Sequence, residues 1–142
     1  MLIGKTGSGK TTLTQRLNKK EVEYKKTQMI SYENDIIDTP GEYLENKFYY
    51  KALLVASTEA TKLVFIQEAT ATTTFYPPNF KTMFNGKDIV GVITKKDLTK
   101  DTEIARKFLK NAGVEEIFEI GMEEDEAFLE LKRRLGVWLE EL

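Results

Sequence analysis

The sequence predicts a three-layer α/β fold: a mostly parallel six-stranded sheet with one antiparallel edge strand. Three observations carry this. Short apolar runs alternate with segments of helical period. A hairpin pattern interrupts that alternation once, and a glycine-rich stretch joins the first strand to the first helix. Strands that alternate with helices make a sheet covered on both faces, with ligands bound beyond the carboxyl ends of the strands.

Met1-Leu2-Ile3 is an apolar stub that enters the glycine-rich loop, and Thr11 to Lys19 follows with Leu13 and Leu17 at helical spacing. Gln28 to Glu33 carries Met29, Ile30 and Tyr32, with a turn expected at Glu33-Asn34. Ile36-Ile37 completes the hairpin, whose second strand ends at Asp38. Phe48 to Thr58 has a helical apolar pattern, and Lys62 to Gln67 is a buried strand. Pro77-Pro78 breaks the chain before a short helix near Phe80 to Phe84. Ile89 to Thr94 is the next strand, and Asp101 caps a helix to Asn111 with Gly113 as its stop signal. Glu116 to Ile120 is the last strand, and Asp125 to Leu142 a closing helix.

The 142 residues fit one domain, and 41% hydrophobic with 31% charged residues is an ordinary globular balance. With no cysteine and no histidine, disulfides, thiolate chemistry, an imidazole base and most zinc sites are excluded. What remains is oxygen ligands and backbone amides, which suit Mg²⁺ and a chemistry of positioning and charge neutralisation. A formal charge of −2 argues against nucleic acid, despite the pairs Lys19-Lys20 and Lys25-Lys26. No apolar stretch approaches the roughly 18 residues of a membrane span, and no signal peptide opens the chain. A cytoplasmic protein, monomeric or weakly dimeric, is expected.

Gly4-Lys5-Thr6-Gly7-Ser8-Gly9-Lys10-Thr11 matches the phosphate-loop pattern G-x-x-x-x-G-K-S/T without a mismatch, between a strand and a helix. Its amides are expected to curl around a β-phosphate at the positive end of the helix, which Thr12 continues. Lys10 would reach the β and γ oxygens, and the Thr11 hydroxyl would ligate Mg²⁺. Asp38-Thr39-Pro40-Gly41 stands at a strand end. Asp38 would hold Mg²⁺ directly or through water, and the Gly41 N–H would bond the γ-phosphate and sense its loss. Thr27, in the polar stretch Glu21 to Gln28, is a candidate for a second metal hydroxyl.

Thr94-Lys95-Lys96-Asp97 follows the apolar strand ending at Ile93, where a base-reading element of the form N-K-x-D belongs. Asp97 would accept from guanine N1–H and the 2-amino group, and Lys95 would lay its stem along the ring. Thr94 replaces the usual Asn and is expected to lose an amide that braces the base and the phosphate loop. At Ile120-Gly121-Met122, a backbone N–H of Gly121 would meet the guanine O6. GTP and GDP are the expected ligands, with ATP and ADP as the alternative.

The ordered set GKTGSGKT, Thr27, DTPG and TKKD, with the phrases TLTQRLN, YKKTQ and IIDTPGEY, resembles the EutP/PduV family of bacterial P-loop proteins over nearly the whole chain. The resemblance implies a Ras-like GTPase fold and a link to ethanolamine or propanediol utilisation, pathways housed in protein-shelled microcompartments. The family name has also carried an acetate kinase label. Family members usually have more residues ahead of the first glycine. A three-residue first strand spans only about 10 Å at 3.3 Å per residue, so a trimmed or mis-assigned start is expected.

Glu42 stands where small GTPases place a water-orienting Gln. A carboxylate beside the γ-phosphate repels it, so slow turnover is expected, about 10⁻⁴ to 10⁻² s⁻¹. Two alternatives stay open: a kinase that passes the γ-phosphoryl to acetate with the same Lys10, Thr11 and Asp38, and a nucleotide-regulated module that docks to a microcompartment shell protein.

Overall fold

The computed structural model describes residues 1–18, 30–33 and 36–136. Six strands form one sheet in the order β2-β3-β1-β4-β5-β6: β1 Leu2–Ile3, β2 Ser31–Glu33, β3 Ile36–Asp38, β4 Lys62–Glu68, β5 Asp88–Thr94 and β6 Ile117–Glu119. Among the described residues only the β2–β3 pair is antiparallel, with Tyr32 opposite Ile37. β1 lies parallel between β3 and β4, with Leu2 opposite both Asp38 and Val64. β4 and β5 pair over seven residues each, from Lys62 opposite Asp88 to Glu68 opposite Thr94. The expected hairpin turn at Glu33-Asn34 and the start of its first strand at Gln28-Met29 lie outside or partly outside the described residues.

Successive side chains of a strand point to opposite faces, so the inner strands must be apolar on both sides. Leu2, Ile36, Val64 and Ile66 enter one core with Leu13 and Leu17 of α1 (Lys10–Leu17) and Phe128 and Leu131 of α5 (Glu126–Leu135). Ile3, Ile37 and Phe65 enter the other. That second core holds Leu44 of α2 (Glu42–Glu45), Leu53 of α3 (Tyr50–Ser57), and Ala105 and Leu109 of α4 (Glu103–Asn111). Each fully buried Leu, Ile or Phe contributes about 1.5–3 kcal/mol, which fixes these two layers of helices against the sheet.

Phe65 packs on Tyr76, Phe80 and Phe84, with ring centroids 5.2, 5.4 and 6.0 Å away. The buried Tyr76 hydroxyl lies 2.8 Å from both the Ile3 and Ile66 carbonyl oxygens, and burial pushes its pKa up. The loop after β4 is thereby pinned across the ends of β1 and β4, next to the phosphate loop.

Two helices are refined at an end, and one more was not foreseen. Helix α5 runs to Leu135, where Gly136 takes a left-handed conformation at φ 68° and caps it; the rest of the expected closing helix, 137–142, lies outside the described residues. Its expected start holds: the Asp125 carboxylate accepts from the Phe128 N–H at 3.1 Å. The helix expected from Phe48 begins with a 3₁₀ turn at Lys47–Tyr49 and becomes α-helical at Tyr50. α2 has no counterpart in the apolar pattern, since Leu44 is its one buried residue.

Candidate nucleotide-binding site

β1, β3 and β5 all end on the same edge of the sheet, and each end leads into a motif. After β1 the chain turns through Gly7 at φ 81° and Gly9 at φ 95°, then enters α1 at Lys10. The first N–H groups of a helix have no partners within it. The positive end of α1 therefore opens toward the loop that precedes it, a ready anion site.

Lys10 Nζ donates to Asp38 Oδ1 at 3.0 Å, both side chains being 5% exposed. Thr11 Oγ1 lies 3.4 Å from Asp38 Oδ2. Two adjacent ligands of an octahedral Mg²⁺ at about 2.1 Å stand about 3.0 Å apart. The Thr11 hydroxyl and the Asp38 carboxylate are therefore nearly at the separation of a shared ion, and their all-oxygen chemistry fits magnesium. Thr27 lies outside the described residues.

The segment after Asp38 is tied to the same edge. Thr39 is fully buried and its hydroxyl donates to the Leu2 carbonyl at 2.8 Å, locking β3 to β1. Gly41 follows at a point where no side chain fits: a Cβ there would lie 2.2 Å from Thr6 N and 2.6 Å from Thr6 Cα. This close approach sets the Gly41 backbone against the phosphate loop. The Thr6 N–H donates to Glu45 Oε2 at 2.7 Å, so a carboxylate from α2 occupies an amide of the cradle. Glu42 is exposed at the start of α2.

Beyond β5 the Thr94 hydroxyl donates to the Ser8 carbonyl at 2.5 Å. This corrects the expectation that Thr94 gives up the brace on the phosphate loop; the loop passes so near that a Cβ placed on Gly9 would stand 3.4 Å from Thr94, within reach of the shorter side chain. Lys95 is held at φ 60°, a costly conformation for a non-glycine residue, and its ammonium donates to the Gly7 carbonyl at 2.7 Å and to Glu68 Oε2 at 2.8 Å. Glu68 Oε1 also meets Lys5 Nζ at 3.0 Å. Burial raises the Glu68 pKa, but the hydrogen bonds from Lys95 and Lys5 outweigh it and hold the carboxyl below its ordinary value.

A cavity of about 110 Å³ opens between α1 and the ends of β5 and β6, lined by Gly9, Thr12, Thr94, Lys95, Gly121 and Met122 among others. Its surface is mostly apolar, as suits the face of a purine ring. Asp97 sits at its edge, in the 3₁₀ turn Lys96–Leu98, with Oδ1 3.1 Å from the position of a Cβ on Gly121. Thr94, Lys95, Gly121 and Met122 thus line one opening together with Gly9 of the phosphate loop, and Asp97 stands beside Gly121.

Three residues of the site escaped sequence reasoning. Glu45 and Glu68 belong to no motif and look like ordinary surface carboxylates. Arg16 reads as a cation in the last turn of a helix, a common solvated position; in the structure it is buried and donates to the carbonyls of Gly121 and Glu123 at 2.7 and 3.1 Å. No helix among the described residues is long and apolar enough to cross a membrane.

A family model described as PduV-EutP, ethanolamine utilisation and propanediol utilisation, matches residues 1–137. The propanediol utilization protein PduV of Citrobacter freundii is 38% identical over 120 residues, covering 83% of this chain and 79% of that protein. The probable acetate kinase EutP of Escherichia coli strain K12 is 30% identical over 132 residues, covering 91% of this chain and 83% of that protein. Among solved structures, Era in complex with MgGDPNP and a segment of 16S ribosomal RNA superposes with a TM-score of 0.63 at 18% identity. Methanosarcina barkeri Roco2 RocCORdC bound to GDP gives 0.58 at 18%. This chain is covered to 99% and 95% in those superpositions but spans only 56% and 46% of the two larger chains. The likeness gives the fold: that of a P-loop GTPase, with the strand order described above.

Proposed function

Because the chain belongs to the PduV-EutP family, we propose that it binds GTP and GDP with Mg²⁺ and hydrolyses GTP slowly. The observation that carries this reading is the convergence of Lys10, Thr11 and Asp38 within 3.0 to 3.4 Å at the mouth of a glycine loop. A base-sized opening adjoins it. The loop amides and Lys10 would neutralise the β- and γ-phosphates, and Thr11 and Asp38 would hold Mg²⁺, which would supply further charge neutralisation there. Asp97 accepts from the two guanine donors, and the Gly41 N–H reports the γ-phosphate. Glu42 stands at the sequence position where small GTPases place a water-orienting Gln, and a carboxylate there would orient that water poorly. Magnesium-dependent release of phosphate from GTP at about 10⁻⁴ to 10⁻² s⁻¹ tests the reading. Turnover above about 1 s⁻¹, or none with Mg²⁺, would count against it.

One observation favours phosphoryl transfer to acetate as a second reading. The Thr6 N–H already donates to a carboxylate, that of Glu45, beside the phosphate loop. A small carboxylate seated there would face the γ-phosphate, and the Escherichia coli relative bears the name probable acetate kinase. Acetyl phosphate formed from acetate and GTP or ATP would establish this reading over simple hydrolysis. Association with a microcompartment shell protein is part of the same family context, and its test is whether Lys10→Ala still localises to the compartment.

A further inference from the structure

Arg16 is the least expected residue beside the cavity. It is 8% exposed, and its guanidinium lies 4.3 Å from the centre of the Phe128 ring. Removing a guanidinium from water is costly, and the cost is recovered only where its N–H groups find acceptors. The acceptors here are two backbone carbonyls of one loop: Nη1 donates to Gly121 O at 2.7 Å and Nη2 to Glu123 O at 3.1 Å. Arg16 also lines the cavity itself, with Gly121 and Met122.

A peptide unit is planar and trans, so a carbonyl held on one side fixes its N–H partner on the other. Fixing the oxygens of Gly121 and Glu123 toward α1 therefore fixes the direction of the Met122 and Glu124 N–H groups. At Gly121 that constraint matters, because a residue without a Cβ leaves the adjoining peptides free to rotate. The fork of the guanidinium and its stacking on Phe128 supply the rigidity that the loop sequence lacks.

We propose that Arg16 is a positioning residue for base selectivity, clamping the Gly121–Glu123 backbone so that its amides stand ready for the oxygen of a 6-oxopurine. This rests on the reading of the adjoining cavity as a guanine site. Adenine carries an amino group at that position and gains nothing from the clamp. The arginine therefore acts on the choice of base while leaving the grip on phosphate alone.

The test compares GDP and ADP affinities, with Mg²⁺, for the natural chain, Arg16→Met and Arg16→Lys by calorimetry. In Arg16→Met, GDP affinity is expected to fall about tenfold, the scale of one well-placed hydrogen bond, with ADP affinity within about twofold of the natural value. Arg16→Lys keeps the cation and the apolar stem, so it serves as the test should Arg16→Met fail to fold, and it is expected to keep part of the GDP preference. Equal losses for GDP and ADP, or no change in either, would overturn the proposal. A natural chain without GDP preference would remove the guanine reading itself, and that is seen before any variant is made.

Discussion

Replacing Gly41 by alanine tests how tightly the two phosphate-facing segments are joined. The added methyl would stand 2.2 Å from Thr6 N, 2.5 Å from Thr6 Oγ1 and 2.6 Å from Thr6 Cα. Ordinary contacts between such atoms are about 3.5 to 4.0 Å, so the overlap exceeds about 1 Å. Two of the three atoms are backbone, and no rotamer change relieves them. Overpacking of this kind costs about 1 to 3 kcal/mol. At about 3 °C per kcal/mol for a chain of this size, the melting temperature is expected to fall by about 3 to 9 °C. The phosphate loop must also move away from its present line, so Mg·GDP affinity falls with stability. Differential scanning calorimetry and a GDP titration read both effects. A variant that melts within about 1 °C of the natural chain and binds GDP equally well would refute the close packing of Gly41 on the loop.

Asp97→Asn is expected to abolish preference for GTP over ATP, because it turns an acceptor into a donor that faces donors; unchanged affinities for both nucleotides would exclude Asp97 as the reader. Glu45→Gln keeps the shape of α2 but removes the charge next to the phosphate cradle, and GTP affinity is expected to rise severalfold by fluorescence titration, more than GDP affinity. Thr94→Val removes the hydroxyl that donates to the Ser8 carbonyl at 2.5 Å, and a buried acceptor left bare costs about 1 to 3 kcal/mol in urea denaturation. The pH dependence has a defined sign at Asp88. Hydrogen bonds from Arg134 hold its pKa below the ordinary 3.8, so their stabilisation is present above that pH and lost as the pH falls through the lowered value. The pair is mostly exposed, so Arg134→Gln should flatten the acid limb of the stability curve by less than about 1 kcal/mol.

The parts of this structure that were legible in the sequence are those where a local rule and the global fold agree. The strand-loop-helix at Gly4 to Thr11 needs glycines for its turn and an amphipathic run after it, and both are written in order. The alternation that brings Leu2 and Ile3 to opposite cores likewise follows from an inner strand apolar on both faces. What stayed hidden depends on distance in sequence. Arg16 meets Gly121 across 105 positions and Glu45 meets Thr6 across 39, and no periodicity encodes such a pairing. The brace from Thr94 was misjudged because side-chain length was weighed without the approach of Gly9, a tertiary distance. The left-handed cap at Gly136 was likewise hidden, because the apolar pattern runs through that glycine without a break.

The most direct test of the whole account is a calorimetric titration of Mg·GDP into the natural chain and into Lys10→Ala. Lys10 is the one loop side chain assigned to the phosphates, and its loss also removes the ion pair to the buried Asp38 carboxylate. Binding of one nucleotide per chain is expected, weakened at least about a hundredfold by the substitution. Equal affinity in the two proteins, or no binding to the natural chain, would contradict a phosphate cradle at residues 4 to 11.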